Sequence, residues 1–160
     1  MITLVPADAR VTFPGPAEIL VTRELDAPPA LVFRAWTTPE LVRRWWTAGR
    51  GEVVSIEIDL RPGGAWRYVM RVPDGSLVAF HGEYREIVPG ERIVNTEVFE
   101  RRPGIEALVT VTFAAAAGRT QLAILTRYDN EADRDEHARY MEDGLTDAMD
   151  LLEQVAGGDR

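Results

Sequence analysis

The sequence predicts an α+β domain, and three observations carry the prediction. Apolar residues recur at helical spacing early in the chain (Leu31, Val32, Ala35, Trp36) and again over residues 131–156. From Glu52 to Tyr128 the period changes to two, the signature of strands buried on one face. Turn signals then cut that region into short segments, which favours an antiparallel meander over parallel crossovers.

Residues 1–17 carry prolines and little periodicity and read as an extended arm ahead of a single domain at 18–157. The segment EILVTRELD (18–26) is the first strand. APPALVFRAWT follows as a helix, because proline is tolerated in a helix's first turn. Thr38 is placed to cap a second short helix, PELVRRWW, with Pro39 at its first position and Glu40 matched to the helix dipole. Six strands come next: EVVSIEIDL, AWRYVMRV, LVAFHGEYREIV, RIVNTEVFE, EALVTVTFAAA and RTQLAILTRYD. RPGG, PDG, PGE and a break near Gly118 supply turns between them. The sheet is therefore expected to have about seven strands.

One long helix is expected to close the chain. Asn130 and Asp133 form a variant capping box, and acidic residues crowd the end where the dipole favours negative charge. Met141, Leu145, Ala148, Leu152 and Val155 make an apolar stripe, and Gly157–Gly158 stop it. At 1.5 Å per residue the helix would run roughly 38 Å, long enough to lie across a whole sheet.

Composition removes several functions. With no cysteine there is no disulfide, thiolate or cysteine-ligated metal, and the two histidines lack any recognisable zinc spacing. No metal and no cofactor are expected. The net charge is −8, and the 18 basic residues are all arginines scattered among 26 acids, so a nucleic-acid partner is not expected. No apolar run is long enough to span a membrane and no secretory signal is apparent, so a cytoplasmic location is expected. Serines lack a nucleophile elbow, and PGG at 62–64 is a turn without the features of a phosphate loop.

The motifs ELDAPPALVFRAWTTPELVRRWW, DLRPGGAWRYVMRVPDG, GEYREIVPGERIVNTEVFE and TVTF…GRTQLAILTRY closely resemble the SRPBCC (START-like) superfamily. The branch they are most similar to is the bacterial single-domain homologues of the Aha-type activators of a heat-shock-chaperone ATPase. The resemblance covers about residues 18–156. It implies a helix-grip fold, in which a curved antiparallel sheet grips the long C-terminal helix with a cavity between them. Relatives often carry Gly-Trp in that helix where this chain has Gly144-Leu145, a departure that would enlarge or reshape the cavity.

Candidate site residues follow from which faces turn inward. At about 100° per residue, Leu41, Val42 and Trp45 share one arc and Trp46 lies about 40° beyond it. Trp45 is thus expected to anchor the core and Trp46 to stand at the cavity mouth. Alternation points Trp66, Tyr68, Met70 and Phe80 inward, together with Val109, Val111 and Phe113. Such residues either fill an ordinary core or line an apolar cavity, and Phe113 is included among the ligand-binding candidates. Met141, Gly144, Leu145 and Met149 of the terminal helix complete that set; Gly144 costs about 1 kcal/mol against alanine, tolerable for close packing or for ligand space. His81, Tyr84 and Glu97 are the weak catalytic candidates, with Tyr68 beside them. Alternation sends His81 outward if Phe80 points in, unless Gly82 marks a bulge. Glu97 and Glu83 are the carboxylates placed to meet the sheet interior, against the blander expectation of an exposed face or an ion pair with an arginine such as Arg67.

The function expected is therefore binding of a small hydrophobic or aromatic molecule between sheet and helix. One alternative is an enzyme of the polyketide cyclase or hydrolase type found elsewhere on this fold, which needs polar groups converging in the cavity. The other is a co-chaperone that stimulates an ATPase; eukaryotic activators of that kind carry a further N-terminal domain where about 18 residues stand here. The arm at 1–17 is expected to be available for pairing with a sheet edge, as in a homodimer.

Overall fold

A computed structural model describes residues 9–141 and 145–158. Among these residues eight strands form one sheet, every neighbouring pair antiparallel, in the order β1-β2-β8-β7-β6-β5-β4-β3. They are β1 (Arg10–Thr12), β2 (Glu18–Leu25), β3 (Glu52–Ile58), β4 (Ala65–Arg71), β5 (Leu77–Val88), β6 (Arg92–Phe99), β7 (Glu106–Ala116) and β8 (Arg119–Arg127). The helices are α1 (Pro29–Thr37), α2 (Pro39–Val42), α3 (Glu131–Met141) and α4 (Leu145–Gly157). The meander from β3 to β8 matches the alternation of the sequence; β2 then pairs with the last strand, Ile19 opposite Thr126.

Three expectations are corrected. The sheet has eight strands rather than about seven, because Arg10–Thr12 of the arm pairs along β2 and caps that edge within its own chain. The second helix is short: after Val42 the hydrogen bonds shift largely to three-residue steps (Arg44 to Leu41, Trp45 to Val42), so both tryptophans sit in a tightened turn. Thr38 is the cap residue of α2 yet makes no side-chain capping bond. Of the single C-terminal helix expected, α3 and α4 are described, and the join at 142–144 lies outside the described residues. The Asn130 cap is present: its Oδ1 accepts the Asp133 N–H at 2.9 Å.

The core lies between one face of the sheet and the pair α1 and α4. Val32 and Ala35 of α1, Leu152 of α4, and Leu25, Val111 and Leu122 of the sheet are all buried there. Each large aliphatic side chain buried this way contributes about 1.5–3 kcal/mol. A buried cation also holds α4. Arg23 projects from the inner face of β2 with its side chain 3% exposed, and its guanidinium reaches Asp150 at 2.9 Å and Glu153 at 3.7 Å. Glu153 in turn accepts the Asp26 N–H at 2.8 Å.

The β4–β5–β6 region is shaped by a close approach. The Trp66 indole N–H donates to the Thr96 carbonyl at 3.1 Å, crossing over Gly82. A Cβ on Gly82 would lie 1.9 Å from that carbonyl oxygen and 2.6 Å from the indole nitrogen. Register shifts occur nearby, between Tyr84 and Glu86 on β5 and between Val53 and Ser55 on β3. Bulges of this kind bend and twist a sheet.

Gly82→Ala is therefore expected to destabilise the fold by about 3 kcal/mol in urea unfolding, the scale of severe overpacking. Glu83→Ala, at the exposed neighbour, should change stability by less than about 0.5 kcal/mol. Equal effects would remove the steric argument.

Candidate functional site

The helix-to-sheet contact is uneven along α4. Its later residues, Leu152, Val155 and Ala156, are buried in close packing, whereas Leu145, Ala148 and Met149 line a cavity of about 560 Å³. That volume lies in the range of small-molecule sites.

One wall is aromatic. Tyr68 meets Trp46 and Trp66 edge to face, with ring centroids 5.4 Å and 5.0 Å apart, and Trp46 stands nearly perpendicular to Phe80 at 6.0 Å. Trp45 is buried, donates its indole N–H to the Ala35 carbonyl at 3.0 Å, and tilts against Trp36 at 4.9 Å. It anchors the turn and still contributes to the cavity lining. Trp46 is only partly buried, and the neighbouring Ala48 and exposed Arg50 carry the lining out to solvent.

Further across the same sheet the lining is polar as well as apolar. Asn95 and Glu97 of β6, Tyr84 of β5 and Thr126 of β8 interrupt a surface made by Val21, Val109, Val111 and Ile124. Asn95 is satisfied, donating through Nδ2 to the Thr96 carbonyl at 3.0 Å. Glu97 is not: among the described residues no hydrogen bond or ion pair reaches its carboxylate. The surface it retains opens onto the cavity and onto a second, water-sized pocket beyond Phe80. Burial without a compensating cation pushes its pKa up to about 7. The Tyr68 hydroxyl is raised well above its ordinary value by burial, then by Tyr84 and Glu97, so it stays a protonated donor. Burial, with a contribution from Asp59, raises Tyr84 in the same way.

Of the residues singled out in the sequence, Trp45, Trp46, Trp66, Tyr68, Met70 and Phe80 are brought to this cavity, with Leu145 and Met149 from α4. Tyr84 and Glu97 join them. Phe113 shares the inner face but is used in packing, edge-on to Phe33 at 5.4 Å and to Trp36 at 6.2 Å, and does not reach the cavity. The Met141 side chain and Gly144 lie outside the described residues.

His81 faces the other side of the sheet, where its Nδ1 meets Glu100 at 2.9 Å. Arg67 grips the same Glu100 through two bonds of 2.8 and 2.9 Å, which holds that carboxyl down at about 2. Arg67 is thus occupied outside and unavailable to Glu97. Glu83 is also outward and pairs with Arg85 at 3.5 Å, since its neighbours Gly82 and Tyr84 take the inward positions.

Residues missed in the sequence are Asn95 and Thr126, along with Trp36 and Ala148. Asn95 was legible in principle, because it lies two positions from Glu97 and so shares its face. Thr126 gave no comparable signal.

A sheet that packs helices over one face, with a partly open aromatic cavity between them, defines the SRPBCC-like class of α+β domain. The family described as "Activator of Hsp90 ATPase homolog 1-like protein" matches residues 26–157, and the chain belongs to it. Solved structures agree. A protein from Rhodobacter sphaeroides superposes with a TM-score of 0.85 at 24% identity, over 91% of this chain and 96% of that one. One from Chromobacterium violaceum gives 0.76 at 29% identity, over 89% and 98%. A third, from Rhizobium leguminosarum, gives 0.68 at 31% identity, over 91% and 97%. No curated protein matches the chain. Among the described residues no helix is long and apolar enough to cross a membrane.

Glu97 gives the fold a pH dependence. Its folded pKa of about 7 exceeds the ordinary 4.5, so between those values the folded chain keeps a proton that the unfolded chain has lost. Stability contributed by this group is present below the lower value and is lost as pH rises through the upper one. Glu97→Gln should therefore stabilise the protein by about 1–3 kcal/mol near pH 8 and by close to zero near pH 5, read from paired urea titrations. An equal effect at both pH values would show that the carboxyl is not held in a desolvated site.

Proposed function

We propose that the protein binds a small, largely apolar molecule, aromatic or otherwise hydrophobic, in the cavity between the sheet and the first turns of α4. The observation that carries this reading is the division of α4 into a packed half and a half that spans about 560 Å³ of space. A void lined by Trp, Tyr, Phe and Met side chains forfeits dispersion contacts, and an apolar guest restores them. Met70 and Met149 add adaptable surface to the wall.

A second reading is favoured by Glu97. A carboxyl poised near neutrality among Tyr68, Tyr84, Asn95 and Thr126 has the character of a general acid or base. Acid–base chemistry on the bound molecule, as in the cyclase or hydrolase reading, would use Glu97, with Tyr84 or Tyr68 as a donor. His81 has no part in it from the opposite face. Stimulation of a chaperone ATPase, the activity named in the family's description, would instead use an external surface.

The test separates these readings. Ala148 lines the cavity from α4, and Ala148→Trp is expected to fill it. Binding of the neutral probe 1-naphthylmethanol, followed by quenching of tryptophan fluorescence, should weaken at least ~10-fold in that variant while circular dichroism is unchanged. A wild-type protein that binds no such probe, or a variant that binds it as well, would sink the cavity reading. An effect on a chaperone's ATPase rate that survives Ala148→Trp would belong to the outer surface.

A further inference from the structure

Among the described residues the inner part of the cavity carries one charged group, and it is negative. Of the described residues lining the cavity, only Arg50 and Glu97 carry formal charge. Arg50 is exposed at the rim, where water screens it. Glu97 sits at the far side, on β6, next to the Tyr68 and Phe80 end of the aromatic wall, and no cation of the described chain reaches it. Arginines stand on β4, β5 and β6, but the sheet turns them outward: Arg67 to Glu100, Arg85 to Glu83, and Arg92 to Glu86.

An isolated carboxylate in an apolar site is costly unless something pairs with it. Here the described residues supply no partner and surround the approach with rings. Trp46, Tyr68, Trp66 and Phe80 meet at steep angles, 63° to 89°, so the wall presents ring faces in several directions. Aromatic faces attract cations and do little for anions. Walls of this kind around a single carboxylate favour a guest with a positive charge on an apolar body.

We propose that the cavity selects a hydrophobic organic cation, an aromatic or alkyl amine in its protonated form, whose ammonium group pairs with Glu97 while its apolar body lies against Trp46, Trp66 and Phe80. This rests on the ligand-binding reading above and specifies its ligand class. The ammonium supplies the hydrogen bonds that Glu97 lacks among the described residues, and Tyr68 contributes both its ring and a neutral hydroxyl. Acid and amine need not exchange a proton for good: binding is expected to keep Glu97 ionised, because a neighbouring cation favours the charged form.

The pH dependence follows from the groups that face Glu97. These are Tyr68 from β4, Tyr84 from β5, Tyr128 just after β8, and His137 of α3 across the small pocket, where its ring lies 4.9 Å from that of Tyr128. The three tyrosines are pushed up by burial and stay neutral through the working range. Of the acidic groups, Glu97 is the member whose charge changes near neutrality, so amine binding should strengthen as pH rises through that range, a dependence that Glu97→Gln removes and that the His137 imidazole would leave in place.

Three probes of nearly equal shape test the assignment: 1-naphthylmethylamine, 1-naphthylmethanol and 1-naphthoic acid, titrated into the full-length protein and followed by tryptophan fluorescence and calorimetry. Near pH 8 the amine is expected to bind ~10-fold tighter than the alcohol, the acid weakest, as one charge-assisted contact would give. Near pH 5.5 the amine's advantage should fall several-fold. Glu97→Gln should abolish the advantage and leave the alcohol's affinity within about twofold, and the alcohol thereby reports that the variant's cavity is intact. If the alcohol binds as well as the amine at pH 8, or the acid binds tightest, the cation assignment is overturned while the cavity reading stands. If none of the three binds, both fall together. An amine advantage that persists in Glu97→Gln also overturns it, since the charge would then be recognised elsewhere.

Discussion

The structure depends on how α4 is seated. One end of this helix is fastened to the sheet by two different interactions that reinforce each other. Leu152 and Val155 bury apolar surface against the side of α1 that carries Val32 and Ala35, and Arg23 reaches from β2 to Asp150 and Glu153. The guanidinium is sealed under the helix while both carboxylates keep contact with water. That asymmetry matters: a partly hydrated partner lowers the desolvation cost that makes fully buried ion pairs weak contributors. With the later turns of α4 fixed in this way, its first turns are carried over the sheet, and the space beneath them becomes the cavity.

The sheet contributes the other half of the cavity through its bend. Trp66 and Gly82 act as a pair across β4 and β5, one supplying a large ring and the other the absence of a Cβ, so that the indole N–H can reach a backbone carbonyl on β6. The result places Tyr68 beside Trp66 and leaves Trp46 to close over both from the turn after α2. The tryptophan pair therefore divides its labour. Trp45 fastens the turn to α1 through the Ala35 carbonyl, and Trp46 forms part of the wall.

The two faces of the sheet have opposite electrostatic habits. On the outer face charges are paired and hydrated, as in the Arg67–Glu100–His81 group, where an arginine fork holds a carboxyl in its ionised form. Inside, Glu97 has no such fork, and the same chemical group is shifted the other way. Two glutamates three residues apart are thus shifted in opposite directions, Glu100 down by the Arg67 fork and Glu97 up by burial, because they face opposite sides of the sheet. This contrast, more than the cavity's size, gives the site its chemical character.

Much of this was legible in the sequence. Alternation placed Trp66, Tyr68, Met70 and Phe80 on the inner face, turn residues marked the meander, and helical spacing separated Trp45 from Trp46; each of these rests on local geometry that a residue's immediate neighbours dictate. The strand count, the length of the second helix and the fate of Phe113 were not legible, because each is settled by what packs against them: the arm on β2, the tightened turn under Trp45, and α1 over Phe113. Glu97 shows the boundary most clearly. Its inward direction was readable as a candidate from its place in the strand, but whether an arginine would meet it was a matter of tertiary structure. Arg67 is opposite in charge and near in space, yet one strand's alternation puts it on the far side of a sheet. Sequence by itself determined which residues share a face; only the folded sheet decided which charges share a solvent, because pairing and burial depend on distances between segments far apart in the chain.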